Sequence, residues 1–496
     1  MPAPVTRPAV TPPGIQREFR GAWIATVKNI DWPSKPGLSS DEQKAELLAI
    51  LNRAVELNLN ALIFQVRAGC DALYASPIEP WSEYLTGKMG QAPSPFYDPL
   101  AFLIEQSHAR GIEIHAWFNP YRARRDFQTT NTPFVAANHI TKTNPELVQA
   151  YGPDQLLDPA EPQVQARAKA VMLDVVHRYD VDGIHIDDYF YPFPLSNGHG
   201  GEIPFQDERT WKAYVAKGGK LTRSDWRRQN VDQFIEDLYA SIKREKRWVK
   251  FGISPFGIWR PGSPPGTIGR DAYAELYADA RKWMLEGSAD YFAPQLYWTN
   301  GTPGHSYPDL LTWWTQQNAK ARHLWPGSAT YQATDKAKAN PRWLPDEIVN
   351  QVGLARRQMG VTGEIQYNMS ALMKDTNGPA LLLRHRVYSE PALVPASPWL
   401  DNTPPGKPTL ANRGGTDGKT RELVWEPTGS EKVWLWVVQT ETDGVWKTEI
   451  LPASQTTRSL PQAGPSPQPS HIAVTAIDRS GNASPPAVLF LDRTGN

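Results

Sequence analysis

The chain has 496 residues, and because single hydrophobic cores stop growing near roughly 250 to 300 residues, more than one domain is expected. Its 52 basic and 52 acidic residues balance, and no Lys/Arg-rich run offers a surface for nucleic acid or for an anionic membrane. No apolar run approaches the length of a membrane-spanning helix, and Cys70, the only cysteine, excludes an intrachain disulfide and a multi-thiolate metal site.

Tryptophan is the compositional outlier, with 19 Trp against 7 Met. Aromatic side chains combine a flat apolar face with a polar N–H or O–H, and this combination suits the apolar faces and the hydroxyls of sugar rings. The bias therefore favours a carbohydrate ligand. Large cores also use Trp, so composition alone leaves both interpretations open.

Residues 1–16 are predicted to form a Pro-rich tether rather than a secretion signal. From residue 17 to about 390, apolar strand patterns alternate with amphipathic helix patterns, which is typical of βαβ units and a parallel sheet. The predicted strands are Phe19–Thr26, Ala61–Arg67, Glu113–Asn119, Gly183–Tyr189, Lys250–Phe256, Tyr291–Trp298, Ser328–Ala333 and Glu364–Met369. Eight strands, each followed by a helix, predict an α/β fold of the (β/α)8 TIM barrel class.

The helix signals between these strands include a capping box from Ser40 to Gln43, and Pro162 and Pro345 at first helical positions. The connections after strands two to five are long, and long βα loops gather at the carboxyl face of a barrel. These connections carry the aromatic residues Tyr74, Trp81, Tyr84, Phe193, Phe205 and Trp211. A groove walled by aromatic side chains is therefore expected at that face.

The composition and the predicted secondary structure change after residue 390. Residues 391–402 are predicted to form a Pro-rich linker, and residues 403–496 a small all-β domain. Its strand-like runs are Glu422–Trp425, Val433–Gln439, Thr448–Leu451 and His471–Ile477. These runs, with the turn-rich segment that follows the last of them, predict a fibronectin type III-like sandwich. Such modules usually space or bind rather than catalyse.

The fourth predicted strand delivers two carboxylates at its carboxyl end. With alternating side chains, His185 and Asp187 share one face of the strand, whereas Ile186 and Asp188 share the other. If the isoleucine faces the outer helices, Asp187 points into the barrel mouth, where it would serve as a nucleophile or a base. The alternative is a pair that caps the next helix or binds a structural cation.

Seven sequence runs occur together in one order. They are Arg17–Trp23, Gln65–Arg67, Asp71–Tyr74, Pro80–Ser82, His115–Arg122, Asp187–Asp188 and Gly252–Arg260. Over about residues 16 to 390 these runs resemble the "family 10-like" glycosyl hydrolases of bacterial envelopes. The resemblance implies a (β/α)8 barrel, frequently on a secreted lipoprotein, and cleavage of peptidoglycan strands that have already lost their peptides.

The fourth predicted strand is also weakly similar to that of the α-amylase-type barrels, where an arginine stands two residues before the nucleophilic aspartate. Here His185 takes that place, and histidine can be neutral at pH 7 whereas arginine cannot. The glutamate that ends strand five in those barrels is also missing, since the strand here ends at Phe256 without an acid. The general acid of glycoside hydrolysis is therefore expected from Asp188 or from a loop. The loop candidates are Asp71, Asp207 and Glu202.

Substrate contacts are expected from side chains at strand ends and at the rim of the barrel. The candidates are Arg20, Trp23, Arg67, Tyr74, Trp81, His115, Trp117, Asn119, His185, Tyr189, Trp259, Arg260, Gln295, Tyr297 and Trp298. Arg67 either anchors a carboxylate, such as a lactyl or uronic acid group, or pairs with an aspartate of the barrel. For His115, internal packing is an equal alternative. No cofactor and no metal ion are expected, since the phosphate-binding and zinc motifs are missing.

These observations predict a glycoside hydrolase that acts on bacterial cell-wall glycan, in particular on peptide-free peptidoglycan strands. Two alternatives stay open: a non-catalytic glycan-binding barrel, and a hydrolase of another extracellular polysaccharide. We expect the protein in the cell envelope, periplasmic or extracellular, as a secreted lipoprotein whose lipid anchor was lost with the N-terminal signal. Its expected partner is a glycan polymer and not a nucleic acid.

Overall fold

The computed structural model describes residues 10–126, 134–334, 343–413, 420–461 and 468–491. The chain divides into two compact units. The larger unit consists of Phe19–Ser107 and Ile112–Ser389, and the smaller unit of Met1–Glu18, His108–Gly111 and Glu390–Asn496. In the part of the chain that is described, no helix is both long enough and apolar enough to cross a bilayer.

The larger unit is built around a sheet of nine parallel strands. The strands of this unit are β1 (Phe19–Ile24), β2 (Ala61–Arg67), β3 (Glu113–Phe118), β4 (Arg122–Arg124), β5 (Val148–Tyr151), β6 (Asp154–Leu157), β7 (Gly183–Ile186), β8 (Leu195–Ser196), β9 (Glu202–Ile203), β10 (Lys250–Ile253), β11 (Tyr291–Phe292), β12 (His323–Leu324), β13 (Gly327–Ser328) and β14 (Gly363–Gln366). The order across the nine-stranded sheet is β12, β11, β10, β7, β3, β2, β1, β14, β13. Every residue of β2 and β3 is buried, as expected for a parallel sheet whose two faces are both covered.

Along the chain, at least one helix follows each strand of this sheet except β12. The helices are α1 (Ser40–Glu56), α2 (Glu83–Thr86), α3 (Pro99–His108), α4 (Ile140–Thr143), α5 (Pro162–Arg178), α6 (Glu208–Ala216), α7 (Arg223–Glu245), α8 (Ala272–Glu275), α9 (Ala280–Glu286), α10 (Tyr307–Gln317), α11 (Thr330–Thr334), α12 (Pro345–Arg357), α13 (Met369–Lys374) and α14 (Pro379–Arg386). Pro162 and Pro345 begin their helices as predicted. The capping box of α1 lies one residue earlier than predicted, from Ser39 to Glu42, because Gln43 is buried and its amide donates to Leu38 O.

The sheet curls until its edges meet. β12 and β13 stand at opposite edges, yet only Trp325 and Pro326 separate them along the chain. Hydrogen bonds continue across this seam, where Thr362 N donates to Leu324 O. The proline has no N–H to donate, and it marks the interruption between the two short strands. The arrangement resembles that of TIM barrels, in which the carboxyl ends of all strands gather at one face.

Regular strand pairing ends earlier than the sequence predicts. β7, β10 and β11 end at Ile186, Ile253 and Phe292, and the residues after them leave the ladder. The prediction of a strand over Ser328–Ala333 is wrong beyond Ser328, because α11 begins at Thr330. A short apolar run does not distinguish a strand from a buried helical turn by its periodicity. The irregular segments after the strands provide the walls of the candidate site.

The smaller unit contains two antiparallel sheets. Its strands are β15 (Thr409–Asn412), β16 (Thr420–Glu426), β17 (Leu435–Thr442), β18 (Val445–Pro452), β19 (Thr457–Pro461), β20 (His471–Ile477) and β21 (Ala487–Phe490). One sheet has the order β15, β16, β19 and the other β18, β17, β20, β21. Trp425 from the first sheet and Trp436 from the second belong to one buried apolar core. The predicted run His471–Ile477 matches β20 at both ends.

Candidate active site

A cavity of about 240 Å³, here called the carboxylate cavity, opens where the strands of the larger unit end. Its lining residues are Trp23, Val27, Ile30, Gln65, Trp117, Arg122, Arg125, Asp187, Asp188, Tyr189, Ser254, Gln295, Tyr297 and Tyr367. They stand on or just past β1, β2, β3, β7, β10, β11 and β14. Enzymes of this architecture place their active sites at the carboxyl ends of the strands.

Asp187 and Asp188 follow β7 directly, and both line the carboxylate cavity. Trp117 Nε1 donates to Asp187 Oδ2 over 3.2 Å. Gln295 Nε2 donates to Asp188 Oδ1 over 3.1 Å and to the carbonyl oxygen of Ser254 over 3.2 Å. Each carboxyl group is thus oriented by an uncharged N–H donor that stands on, or just past, another strand.

The prediction that Asp188 points to the outer face is wrong. Strand alternation places Asp187 inward and Asp188 outward only if the strand is regular through both residues. β7 ends at Ile186, and the chain then turns, with Phe190 N donating to Asp188 O over 3.1 Å. Because the chain turns, the two consecutive side chains reach the same cavity.

Both carboxyl groups of this pair are buried, and burial is the main cause of their shifted pKa values. Burial raises the pKa of Asp187 to about 7, with repulsion by Asp188 adding to the shift, and that of Asp188 to about 6. Arg122 opposes both shifts but does not cancel them. Two interacting carboxyl groups titrate as a pair, so near neutral pH the pair holds about one proton.

A chain of hydrogen bonds runs through the interior beneath the cavity. Trp23 Nε1 donates to His185 Nε2 over 3.2 Å, while His185 Nδ1 and His115 Nδ1 each lie 2.9 Å from the hydroxyl of Tyr291. His115 Nε2 lies 3.1 Å from Glu113. Because an indole can only donate, His185 Nε2 accepts and its Nδ1 carries the proton. His185 Nδ1–H therefore donates a hydrogen bond to the Tyr291 oxygen, and the Tyr291 hydroxyl donates its own hydrogen bond to His115 Nδ1.

His185 and His115 are therefore internal residues that support the cavity from below. Both are fully buried, and neither lines the cavity. Burial holds the pKa of His185 well below its ordinary value, so this ring is neutral. Two glycines make room for the chain of hydrogen bonds: a Cβ at Gly183 would lie 2.4 Å from His115 Nδ1, and one at Gly252 1.9 Å from the ring of Tyr291.

Two further cavities lie in the larger unit; the second shares residues with the carboxylate cavity, and the third shares Phe193 with the second. The second, of about 160 Å³, shares Arg122, Arg125 and Tyr189 with the carboxylate cavity and is also lined by Asn119 and Phe193. The third, of about 440 Å³, is lined by Phe193, Phe256, Ile258, Gly269, Arg270, Trp298 and His305. Aromatic rings therefore line all three cavities, but of the loop aromatics named in the sequence only Phe193 is among them. Tyr84, Phe205 and Trp211 line none of the three.

The structure brings about half of the predicted contact residues to these cavities. Those that line one or more of them are Trp23, Trp117, Asn119, Tyr189, Gln295, Tyr297 and Trp298. Arg67 is instead enclosed, with Nε and Nη2 each 2.7 Å from the carboxylate of Glu79 and Nη1 donating to Asn119 O. Arg67 thus forms an ion pair, but its partner is a glutamate from a loop and not the predicted aspartate of the barrel.

The other predicted contact residues lie outside the three cavities. Arg20 is buried under the ring of Tyr388, 4.6 Å from its centroid. Tyr74 is buried, and Trp81 packs edge-on against Phe96. Further along the chain, Trp259 stacks on Trp313 and Arg260 pairs with Asp271.

The loop acids have other partners. Asp71 is buried and accepts from Gly69 N over 2.9 Å. Asp207 is buried in an ion pair with Arg227 at 2.6 Å and also pairs with Arg223. Glu202 is exposed in the short strand β9. None of the three lines a cavity described above, which leaves Asp187 and Asp188 as the carboxyl groups of the carboxylate cavity among the described residues.

Arg122 and Arg125 are cavity residues that the sequence interpretation missed. Both line the carboxylate cavity and the second cavity. The sequence did contain a signal for Arg122, because this residue ends the run that begins at His115 and stands at the start of a long βα loop, where barrel enzymes carry functional groups.

Among the described residues, no group of three or more His, Cys, Asp or Glu side chains could hold a metal ion.

Comparison with known proteins decides the family. A model of the family "Glycosyl hydrolase-like 10" matches residues 18–345. The chain belongs to the glycosyl hydrolase-like 10 family. Its relatives include glycosyl hydrolase YngK of Bacillus subtilis (strain 168), 42% identical over 401 residues, which cover 79% of this chain and 76% of YngK. Glycosyl hydrolase DigH of Escherichia coli (strain K12) is 34% identical over 393 residues, covering 74% of this chain and 87% of DigH.

The family model and both relatives identify this member of the glycosyl hydrolase-like 10 family as a glycoside hydrolase.

Similar solved structures include the PgaB (BpsB) glycoside hydrolase domain from Bordetella bronchiseptica, with a TM-score of 0.47 and 12% identity over 75% of this chain and 98% of that domain. Another is the catalytic domain of β-amylase from Paenibacillus polymyxa, with a TM-score of 0.48 and 12% identity over 76% of this chain and 99% of that domain.

Proposed function

We propose that this glycoside hydrolase cleaves the glycan strands of peptidoglycan after their peptides have been removed. The observation that carries the proposal is a buried pair of carboxyl groups with raised pKa values, in a cavity that shares lining residues with the aromatic-lined second cavity, which in turn shares Phe193 with the third. The envelope-type motifs Arg17–Trp23 and His115–Arg122 favour a cell-wall substrate. We further propose that the larger unit is a (β/α)8 barrel and the smaller unit a fibronectin type III-like module.

Asp187 and Asp188 divide the acid and base roles in this proposal. The protonated carboxyl group donates its proton to the glycosidic oxygen as the bond from that oxygen to the anomeric carbon breaks. The ionised partner either takes a proton from the attacking water or attacks the anomeric carbon itself, after which water releases the sugar. A pair that shares one proton suits this division, because one group is protonated while the other is charged.

The substrate is tested by digestion of purified polymers. We expect new reducing ends from peptide-free glycan strands, and about tenfold fewer or none from intact sacculi, whose strands carry peptides. Chitin and a neutral extracellular polysaccharide serve as comparison substrates. Preferential cleavage of the neutral polysaccharide would reject the cell-wall substrate and support the alternative of another extracellular polymer.

The activity should have a narrow pH optimum. The active form carries one proton on the pair, so it is depleted above the pKa of Asp187, raised to about 7, and below that of Asp188, raised to about 6. We expect kcat/KM to fall about tenfold for each pH unit outside this window. Initial rates from pH 4 to 9, with circular dichroism to show that the protein stays folded, provide the measurement. A flat profile from pH 5 to 9 would contradict the shared proton.

Phe193 should contribute to the binding of long strands. Its ring lines both the second and the third cavity and lies edge-on to Phe256, with 6.0 Å between the centroids. We expect Phe193→Ala to raise KM by about fivefold to tenfold, the loss of one aromatic contact, with little change in kcat. Phe96→Ala is the matched control, because Phe96 is exposed and lines none of the three cavities. Equal KM changes in both variants would remove Phe193 from the binding surface.

We propose that the protein acts in the cell envelope, because that is where its proposed substrate lies. Its lipid anchoring is part of the same proposal. Fractionation of cells that express the full-length protein, followed by detection in membrane, periplasmic and cytoplasmic fractions, tests this location. Recovery in the cytoplasmic fraction alone would reject it.

A further inference from the structure

The second cavity and the carboxylate cavity meet at a cationic wall. Arg122, Arg125 and Tyr189 line both of them. The remaining lining of the second cavity is largely apolar and aromatic, and its one carboxylate, Asp154, accepts a hydrogen bond from Asp126 N over 3.0 Å. Two guanidinium groups therefore line the same cavity as Asp187 and Asp188, and the charge of Arg122 opposes the rise in pKa of both carboxyl groups.

Arg122 is fixed in place yet keeps unused donors. Its side chain is buried, with the guanidinium 4.6 Å from the centroid of the Tyr189 ring. Its backbone N donates to Asn119 Oδ1 over 3.0 Å, and its Nη1 donates to Ala68 O over 3.3 Å. Its buried Nε has no hydrogen-bond partner in the part of the chain that is described. A buried guanidinium N–H that lacks a partner can donate to an anion from outside the protein.

Arg125 supplies a second cation to the same wall. It is half-buried and lines both cavities, and it has no hydrogen bond or ion pair with any residue in the described ranges. A carboxylate has two oxygens that accept N–H donors, and arginine matches them with paired, parallel hydrogen bonds. Two arginines around one small cavity are therefore suited to a single carboxylate, and the aromatic walls suit the carbon atoms attached to it.

We propose that Arg122 and Arg125 form a subsite that binds a carboxylate substituent of the glycan, next to the bond that is cleaved. This proposal rests on the proposed function, and in a peptide-free strand the group is the free lactyl carboxylate of N-acetylmuramic acid. In a strand that carries peptides the same carbon is an amide, which has no negative charge and brings a peptide into a cavity of about 160 Å³. The subsite thus gives a physical reason for a preference for peptide-free strands.

This assignment replaces the carboxylate-binding role that the sequence suggested for Arg67. The guanidinium of Arg67 already has Glu79 as a bidentate partner. A competing explanation is that Arg122 only offsets the negative charge of the aspartate pair. That explanation predicts no selectivity for a carboxylate on the sugar, so binding selectivity distinguishes the two.

The test uses monosaccharides, which contain no bond to hydrolyse. Binding of N-acetylmuramic acid, its methyl ester and N-acetylglucosamine to the full-length protein is measured by titration calorimetry or by ligand-observed NMR. We expect the acid to bind at least about tenfold more tightly than the ester, as is typical of charge-assisted hydrogen bonds. Arg125→Gln should remove this selectivity. Arg260→Gln is the matched control, because Arg260 lines none of the three cavities and already pairs with Asp271 at 3.2 Å.

Equal affinities for acid and ester, no detectable binding of the acid, or unchanged selectivity in Arg125→Gln would each overturn the subsite. A separate digestion distinguishes this failure from failure of the proposed function. Peptide-free strands are compared with the same strands after their lactyl carboxylates have been converted to methylamides. Equal cleavage of both overturns the subsite and keeps the strand hydrolase, whereas cleavage of neither rejects the strand hydrolase while the monosaccharide result still decides the subsite.

Discussion

Replacement of Asp187 or Asp188 by asparagine is expected to lower kcat on peptide-free strands by about 10³-fold, within the 10²- to 10⁴-fold range of general acid–base catalysis. Asparagine keeps the size of the side chain and its contact with Trp117 or Gln295, but it neither donates a proton as an acid does nor accepts one at neutral pH. Release of reducing ends under saturating substrate measures the effect. The double variant should be about as inactive as either single variant, because the two groups act as a unit.

Glu202→Gln is the control for this prediction. Glu202 was a candidate acid in the sequence, yet it is exposed and lines none of the described cavities. Its substitution should leave kcat and KM unchanged. Loss of activity in Glu202→Gln with retention in Asp187→Asn would move the chemistry out of the carboxylate cavity.

An activated substrate assigns the two roles. In an aryl glycoside of an acidic phenol, the phenolate leaves without being protonated. The variant that lacks the acid should therefore retain most of its activity on such a substrate. The variant that lacks the base or nucleophile should be inactive on both substrates. Equal losses in both variants on the aryl glycoside would mean that neither residue is the acid.

The same substitutions should stabilise the protein at alkaline pH. Burial raises the pKa of both carboxyl groups above that of the unfolded chain, so the folded state binds more protons between about pH 4 and 7. The free energy of unfolding therefore falls as the pH rises through that window. Asp188→Asn removes this cost, and we expect a gain of about 1 to 3 kcal/mol at pH 8, measured by chemical denaturation.

Removal of the Arg67 guanidinium is expected to produce the largest loss of stability. Arg67→Met leaves the fully buried carboxylate of Glu79 with only Arg167, at 3.3 Å, as an ion-pair partner. Breaking a buried ion pair by removal of one partner costs about 3 to 5 kcal/mol, because the other charge stays buried. Chemical denaturation measures the change in the free energy of unfolding, and kcat and KM of the folded protein should change little.

Two further variants make this result specific. Arg67→Met combined with Glu79→Leu should recover most of the loss, since replacement of both partners by apolar groups leaves no buried charge. Arg260→Met is the matched control, because Arg260 pairs with Asp271 near the surface, where an ion pair contributes about 0 to 1 kcal/mol. A raised KM without loss of stability in Arg67→Met would restore the substrate-anchoring role.

The first residues of the strands were the part of the fold that the sequence predicted best, since β1, β2, β3, β7, β10 and β11 all begin at the predicted residue. β2 matches its prediction at both ends, and all seven of its residues are buried. The positions of Asp187 and Trp117 in the cavity follow from their place at strand ends. What sequence spacing could not predict was where pairing stops, and that decides the direction of Asp188.

Contacts between distant residues were also beyond prediction. The partner of Arg67 is Glu79, twelve residues away across a loop that has no periodic pattern. Asp207 was placed over the site by loop length alone, but two arginines near the start of α7 bind it instead. The neutral state of His185 follows from its burial next to Trp23 and Tyr291, which come from other strands of the sheet.

Hydrolysis in water enriched in oxygen-18 tests the central claim most directly. Peptide-free glycan strands are incubated with the wild type, Asp187→Asn and Asp188→Asn, and the products are analysed by mass spectrometry. We predict that the wild type releases oligosaccharides whose new reducing ends each carry one oxygen atom from the water, and that both variants release about 10³-fold less. Strands that bind but yield no labelled reducing ends, or equal product from wild type and variants, would contradict a glycan-strand hydrolase built on Asp187 and Asp188.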